Sequence, residues 1–251
     1  MTEEVCPLCD GTGWTVVERN GLTGAQRCSC AVAARSAALR KGSGIPPNYE
    51  NASLDNFQIP QDNPIARAGL GKVLMQVRSF VREFPAPDRP GLLLIGETGT
   101  GKTHLAVAAL KAVMERGHEG LFFDFQNLLD RIRSGYDPAS GTSDRAAYRN
   151  ALDAEVLLLD DLGSHRITEW VEDTVTSIIT YRCNHRKPLI ATTNLEIDDT
   201  GPVAYTTAGG TVVRGKTLGD VIGPRARSRL FEMCRVIRMP AVEDYRIKRA
   251  R

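Results

Sequence analysis

A chain of 251 residues with a net charge of +2, 42% hydrophobic and 25% charged, has room for one sizeable α/β core and a small appendage. That balance argues against long disorder, and so small a net charge leaves any nucleic-acid surface to local clustering. The start, Met1-Thr2-Glu3-Glu4, has neither the basic flank nor the apolar stretch of a secretion signal, and no window reaches the ~18 apolar residues of a membrane span. A soluble, cytoplasmic chain with no membrane partner is expected.

Four of the six cysteines fall within the first thirty residues. Cys6-Pro7-Leu8-Cys9, eighteen residues, then Cys28-Ser29-Cys30 offers four soft ligands for a tetrahedral Zn²⁺. Gly11 and Gly13 permit the tight turn of a knuckle, and residues 15–17 and 25–27 can pair as the hairpin of a ribbon. The second pair is C-x-C rather than C-x-x-C. A redox dithiol at Cys6 and Cys9 is the competing reading, but no thioredoxin-like βαβ surrounds it. Cys183 and Cys234 lie alone downstream and read as small buried hydrophobes.

Residues 31–41 form an Ala/Arg stretch of high helix propensity, stopped by Gly42-Ser43-Gly44 and Pro46-Pro47. The chain therefore divides into a four-cysteine module (1–30), a helical stalk and linker (31–61), and an α/β domain (62–251). Ile65, Ala68, Val73, Leu74, Val77, Val81 and Phe84 recur as on an amphipathic helix that Pro85 and Pro87 end. Next come a strand over 92–95, a helix over 102–116 stopped by Gly117, a strand over 121–125 and a helix beginning over 127–133. A polar loop follows at 135–144, then strands over 156–159 and 189–192 with a helix over 169–182 between them. Short apolar strands separated by helices predict a parallel sheet covered on both faces. Residues 202–223, rich in Gly and Thr, read as an insertion in which Gly209-Gly210 could turn a small hairpin.

Gly96-Glu97-Thr98-Gly99-Thr100-Gly101-Lys102-Thr103 fits G-x-x-x-x-G-K-[ST], the loop whose backbone amides wrap a polyphosphate. Glycines are needed where a Cβ would collide or φ must be positive, and the following helix adds its N-terminal amides. Lys102 would pair with the β- and γ-phosphates of ATP, and the Thr103 hydroxyl would ligate Mg²⁺. Val156-Leu157-Leu158-Leu159-Asp160-Asp161 supplies the second half: Asp160 to hold Mg²⁺ through its water shell, Asp161 to orient the attacking water. Asn194, ending a third strand, could hold the γ-phosphate or that water without adding charge. Arg225 and Arg229 lie on one face of a helix opened by Pro224, which on its own reads equally as a solvated basic face.

Together GETGTGKTHLA (96–106), LLLDDLG (157–163), ATTNL (191–195), RARSRL (225–230) and DYR (244–246) resemble the AAA+ ATPases, specifically the replicative helicase loaders of the DnaC/DnaI type. The resemblance spans residues 45–251. It implies a P-loop AAA+ fold, Asn194 as sensor 1, Arg229 as an arginine finger acting on a neighbouring subunit's ATP, and Arg246 as a sensor-2-type arginine. It further implies an oligomer that binds single-stranded DNA and delivers a replicative DNA helicase. Asp161 stands where most AAA+ enzymes place Glu, so slow, switch-like hydrolysis is expected. Read on their own, Tyr136 with Arg131 and Arg133 could touch single-stranded DNA or could equally form a solvated helix end. The alternative is a related IstB-like ATPase assisting a DNA transposase, which usually lacks the cysteine module. A small-molecule kinase would have no use for the distal arginines or the zinc ribbon, and a non-catalytic adaptor would not need Asp160, Asp161 and Arg229.

Overall fold

Strands that carry leucine and isoleucine at every position, with no polar alternate, must be covered on both sides. The computed structural model describes residues 5–19, 21–134, 145–164, 168–197, 204–206, 212–214 and 216–250. It begins with the antiparallel hairpin β1 (Trp14–Arg19) and β2 (Leu22–Arg27), in which Val16 faces Ala25 and Val17 faces Gly24, the pairing expected of a ribbon. Helix α1 (Ser29–Gly42) and a 3₁₀ turn (Pro47–Tyr49) lead to α2 (Pro64–Glu83). Asn63 caps α2 by accepting the amides of Ile65 and Ala66, and Pro64 occupies the first turn, where its missing N–H costs nothing.

The core alternates β3 (Gly91–Ile95), α3 (Lys102–Glu115), β4 (Gly120–Asp124), α4 (Phe125–Ser134), α5 (Arg145–Asp153), β5 (Val156–Asp160), α6 (Glu169–Asn184) and β6 (Leu189–Thr193). A short antiparallel pair, β7 (Ala204–Thr206) and β8 (Val212–Arg214), precedes α7 (Leu218–Met233), β9 (Cys234–Arg238) and α8 (Tyr245–Ala250). The five-stranded sheet runs β4-β5-β6-β3-β9 and every pairing is parallel. Alternate residues then sort to opposite faces. Leu93, Ile95, Leu157, Leu159 and Ala191 bury against α4, α5, α6 and α7. Leu92, Leu94, Leu158 and Ile190 bury against α2 and α3. Among the described residues no helix is long and apolar enough to cross a membrane.

Several differences from the sequence reading have simple causes. Within the stretch read as linker, Ala52, Leu54, Phe57 and Ile59 are seated in the α2–α3 core, and Ser43 O accepts the Phe122 amide at the sheet edge. Helix α5 escaped notice because it is only nine residues long. Strand β9 carries two arginines in five residues and pairs along β3 as the sheet's last strand. The stretch read as an insertion contains the β7–β8 pair, although Gly209 and Gly210 lie outside the described residues. Its end is already helical: Thr217 and Asp220 form a capping box at the start of α7, which kinks at Gly223 (φ 80°) and restarts at Pro224.

Candidate nucleotide and metal sites

The loop from β3 to α3 is shaped by what its glycines allow. Gly99 and Gly101 have φ of 77° and 91°, the left-handed region. A Cβ on Gly96 would stand 2.6 Å from Met239 Cβ, one on Gly101 2.7 Å from the Phe57 ring, and one on Gly99 would overlap the Asp244 carboxyl. Gly101 serves as N-cap of α3 with no side chain bonded to the first amides. The described caps of α2, α6 and α7 all use such a bond. The first turn of α3 therefore keeps its donors for an anion, which is how a polyphosphate is held. Lys102 is only 6% exposed, and its Nζ donates to the Glu97 carbonyl at 2.7 Å, so the ammonium is folded back along the loop. Burial lowers its pKa, opposed by the nearby Asp161 and Asp160 carboxylates.

The acids arrive on β5. Asp160 Oδ1 accepts the Thr192 hydroxyl at 2.7 Å, and the Thr103 hydroxyl also bonds this carboxyl, which joins the two residues expected to share Mg²⁺. Asp161 follows with φ of 57°, a conformation Asp tolerates better than most residues. Its amide donates to Thr192 Oγ1 at 2.8 Å, and its Oδ1 accepts from Asn194 Nδ2 at 2.8 Å. Lys102, Thr103, Asp160, Asp161 and Asn194 thus meet at one end of the sheet. Arg246 joins them: its charge acts on both Lys102 and Asp161. Arg229 does not. It donates to Glu232 Oε2 at 2.6 Å beside Cys183 on α6. Arg131 and Arg133 lie over the rings of Phe123 and Trp170, and Tyr136 is outside the described residues.

Burial pushes the Asp160 carboxyl up, with Asp161 and Asp124 adding to it against the Thr192 and Thr103 hydrogen bonds. A carboxyl whose pKa is higher folded than unfolded loses stability for the fold as pH rises from its unfolded to its folded value, so its ionised form costs the fold stability. Asp160→Asn should therefore raise the Tm of the nucleotide-free protein while removing the Mg²⁺-dependent part of the shift that ATP produces. Thermal melts with ATP, with and without Mg²⁺, test both halves, and a lower nucleotide-free Tm would contradict the argument.

The four cysteine sulfurs at the other end of the chain all lie within 4.8 Å of one another. Cys6 and Cys28 are 3.8 Å apart and Cys9 and Cys30 3.4 Å. A tetrahedral Zn²⁺ with Zn–S of about 2.3 Å needs sulfur separations of about 3.8 Å, so the quartet fits that ion. The Cys9 and Asp10 amides turn back onto the Cys6 carbonyl, the knuckle that places the first pair. The Cys30 amide draws the Cys28 thiol down to about 7, while the thiols sharing hydrogen bonds with Cys30, Cys9 first, push it up to about 12.

Residues 76–205 match the family described as IstB-like ATP binding protein, just over half of the chain. The chain belongs to this family. The crystal structure of the DnaC helicase loader superposes with a TM-score of 0.60 at 32% identity, covering 78% of this chain and all of that one. The replicative helicase loader DnaC of Escherichia coli is 24% identical over 157 residues, 62% of this chain and 61% of its own length. YqaM of Bacillus subtilis is 25% identical over 183 residues, 70% of this chain and 56% of that protein. The chain thus spans less than two thirds of these two curated relatives. As an IstB-like family member homologous to DnaC, it has the P-loop fold of AAA+ ATPases, with the phosphate loop on the strand between β6 and β9.

Four residues of the candidate site were given no role in the sequence reading, two of them inside quoted motifs. Thr192 bridges both acids, and its signal was present in the polar end of 191–194. Asp124 ends β4 in register with Asp160 on β5 and repeats the pattern of an apolar run closed by an acid. Phe57 on Gly101 comes from a distant segment and carries no local signal, and Asp244 on Gly99 stands in the DYR run at 244–246, which says nothing of that contact.

Proposed function

We propose that this chain hydrolyses ATP·Mg²⁺ slowly as one subunit of an oligomer that holds single-stranded DNA and delivers a replicative DNA helicase in the cytoplasm. The observation that carries the reading is the convergence of Lys102 and Thr103 with Asp160, Asp161 and Asn194 at one end of the sheet. In it residues 96–103 cradle the triphosphate, and Thr103 with Asp160 holds Mg²⁺, which neutralises charge developing on the phosphates. Asp161, held by Asn194, orients water; Arg246 senses the γ-phosphate; Arg229 serves the next subunit's ATP. Its placement beside Glu232, rather than at its own phosphate loop, supports a role in trans. Likeness to DnaC supports the helicase as partner. We read residues 1–30 as a zinc module that meets the partner, 31–61 as its stalk and linker, and 62–251 as the ATPase domain.

The family's own description keeps an IstB-like role beside a DNA transposase as the second reading, and the cysteine quartet favours the loader. Co-purification with the host's replicative helicase, with and without ATP, decides between them: ATP-dependent capture is expected, and no capture in either state overturns the loader reading. Zinc should be present at about one ion per chain, as a single tetrahedral site demands. Thirty residues bury too little to fold unaided, so a chelator should release the ion and unfold only the module, leaving the ATPase melt unchanged. Metal analysis of the purified protein checks this, and a metal-free module with intact β1–β2 amide protection would refute it.

A further inference from the structure

Arg246 acts on Lys102 and Asp161 at the phosphate loop, and the contacts of its neighbours show what brings it there. Tyr245 is fixed at two points. Its amide donates to Gly99 O at 3.2 Å, inside the phosphate loop, and its hydroxyl donates to Gln58 Oε1 at 2.8 Å, on the segment preceding α2. Asp244 sets the turn between them. Its Oδ1 accepts the Arg246 amide at 2.8 Å, and its carboxyl rests on Gly99, where a side chain would leave no room. The Gln58 end is anchored as well. Phe57 lies on Gly101 and 5.6 Å from the His104 ring, and His104 Nε2 bonds Ser53 O at 3.0 Å. Two segments 187 residues apart in sequence thereby meet over one loop.

We propose that Gln58 and Tyr245 are positioning residues, a latch that seats Arg246 at the nucleotide. The proposal rests on the reading of Arg246 as the arginine that senses the γ-phosphate. Arg246 follows Tyr245 directly and its amide is held by Asp244, so loosening the Tyr245 ring loosens the backbone that carries the guanidinium. Because Tyr245 also holds Gly99 O, the arginine and the phosphate loop move as one unit. The latch bond is exposed, so its rupture should cost no more than a single neutral hydrogen bond contributes, about 2- to 10-fold in an equilibrium.

The test compares Tyr245→Phe, Gln58→Leu and Gln58→Glu in the full-length protein, each with Arg246 present or replaced by alanine. Glu keeps an oxygen acceptor for the Tyr245 hydroxyl, whereas Leu does not. In nucleotide-free protein, hydrogen exchange of the 244–247 amides should speed up about 2- to 10-fold in Tyr245→Phe and Gln58→Leu and stay near wild type in Gln58→Glu. Affinity for a non-hydrolysable ATP analogue should weaken by a similar factor in the first two, and the effect should vanish once Arg246 is alanine, as a double-mutant cycle reads for groups acting through one another. Equal weakening with and without Arg246 would mean that the bond only supports the fold, and would overturn the latch. So would failure of Gln58→Glu to behave as wild type. If Arg246→Ala alone leaves analogue affinity and hydrolysis unchanged, the assignment of Arg246 falls instead, which separates the two failures.

Discussion

Lys102→Ala should abolish ATP binding while leaving the fold intact. The ammonium is almost wholly enclosed and has one fixed acceptor, the Glu97 carbonyl, a member of the loop that the phosphates would fill. A chain that buries a lysine against its own backbone has already met most of the desolvation cost of placing a cation there. Phosphate oxygens arriving in the cradle then gain a charge-assisted partner that water cannot replace. Removing one member of a buried, hydrogen-bonded charge pair costs about 3–5 kcal/mol, roughly two to four orders of magnitude in Kd. Fold integrity should survive because the sheet does not depend on this group: the α3 residues that bury against β3, β5 and β6 are Leu105, Ala106, Val107, Ala109 and Leu110. Fluorescent ATP titration beside a thermal melt makes the distinction, and retained affinity in a folded variant would remove the phosphate loop from its assigned place.

The same cradle explains why so much of the site is legible in the sequence. The octet at 96–103 is a local device: its glycines, lysine and threonine are adjacent because one loop must enclose one ligand, so the whole requirement is written in eight consecutive residues. The apolar runs of β3, β5 and β6 are equally legible, since a strand covered on both faces cannot carry polar residues at alternate positions. The cysteine quartet is readable for a related reason, because metal ligands supplied by a knuckle sit at fixed short spacings.

What escaped is what tertiary structure alone brings together. Strand β9 has Arg235 and Arg238 where a buried strand should be apolar. Both are paired, with Glu83 and Glu196, so its edge position lets it carry charge that a central strand could not. Phe57 and Asp244 lie 44 and 145 residues from the glycines Gly101 and Gly99 that they cover, and no periodicity links them. Gln58 is likewise an ordinary polar residue until the fold lays it beside Tyr245 over the loop. Asp124 was the avoidable omission: phenylalanines closed by an acid at 122–124 repeat the logic that singled out Asp160.

Arg229→Ala should leave ATP binding unchanged and lower hydrolysis by about 10³- to 10⁵-fold, the range an arginine finger contributes in other P-loop enzymes. The expected size follows from what the finger supplies, positive charge at the moment negative charge spreads over the transferred phosphoryl group. In the single chain the guanidinium is held by Glu232 and neighbours Cys183, remote from its own phosphate loop, so binding and hydrolysis should separate cleanly in this variant. Both members of that pair are substantially exposed, at 42% and 58%. Such a pair is weak in water and screened by salt, so its exchange for a neighbour's phosphate opposes assembly only slightly. A mixing experiment tests the geometry directly. Asp161→Asn subunits cannot orient water but keep the finger, whereas Arg229→Ala subunits keep the acid and lack the finger. Each alone should be inactive, and together they should regain part of the activity, because a head-to-tail contact would set the finger of one beside the intact acid of the other. A mixture as inactive as its components, with assembly intact by light scattering, would mean that the finger does not act across the interface.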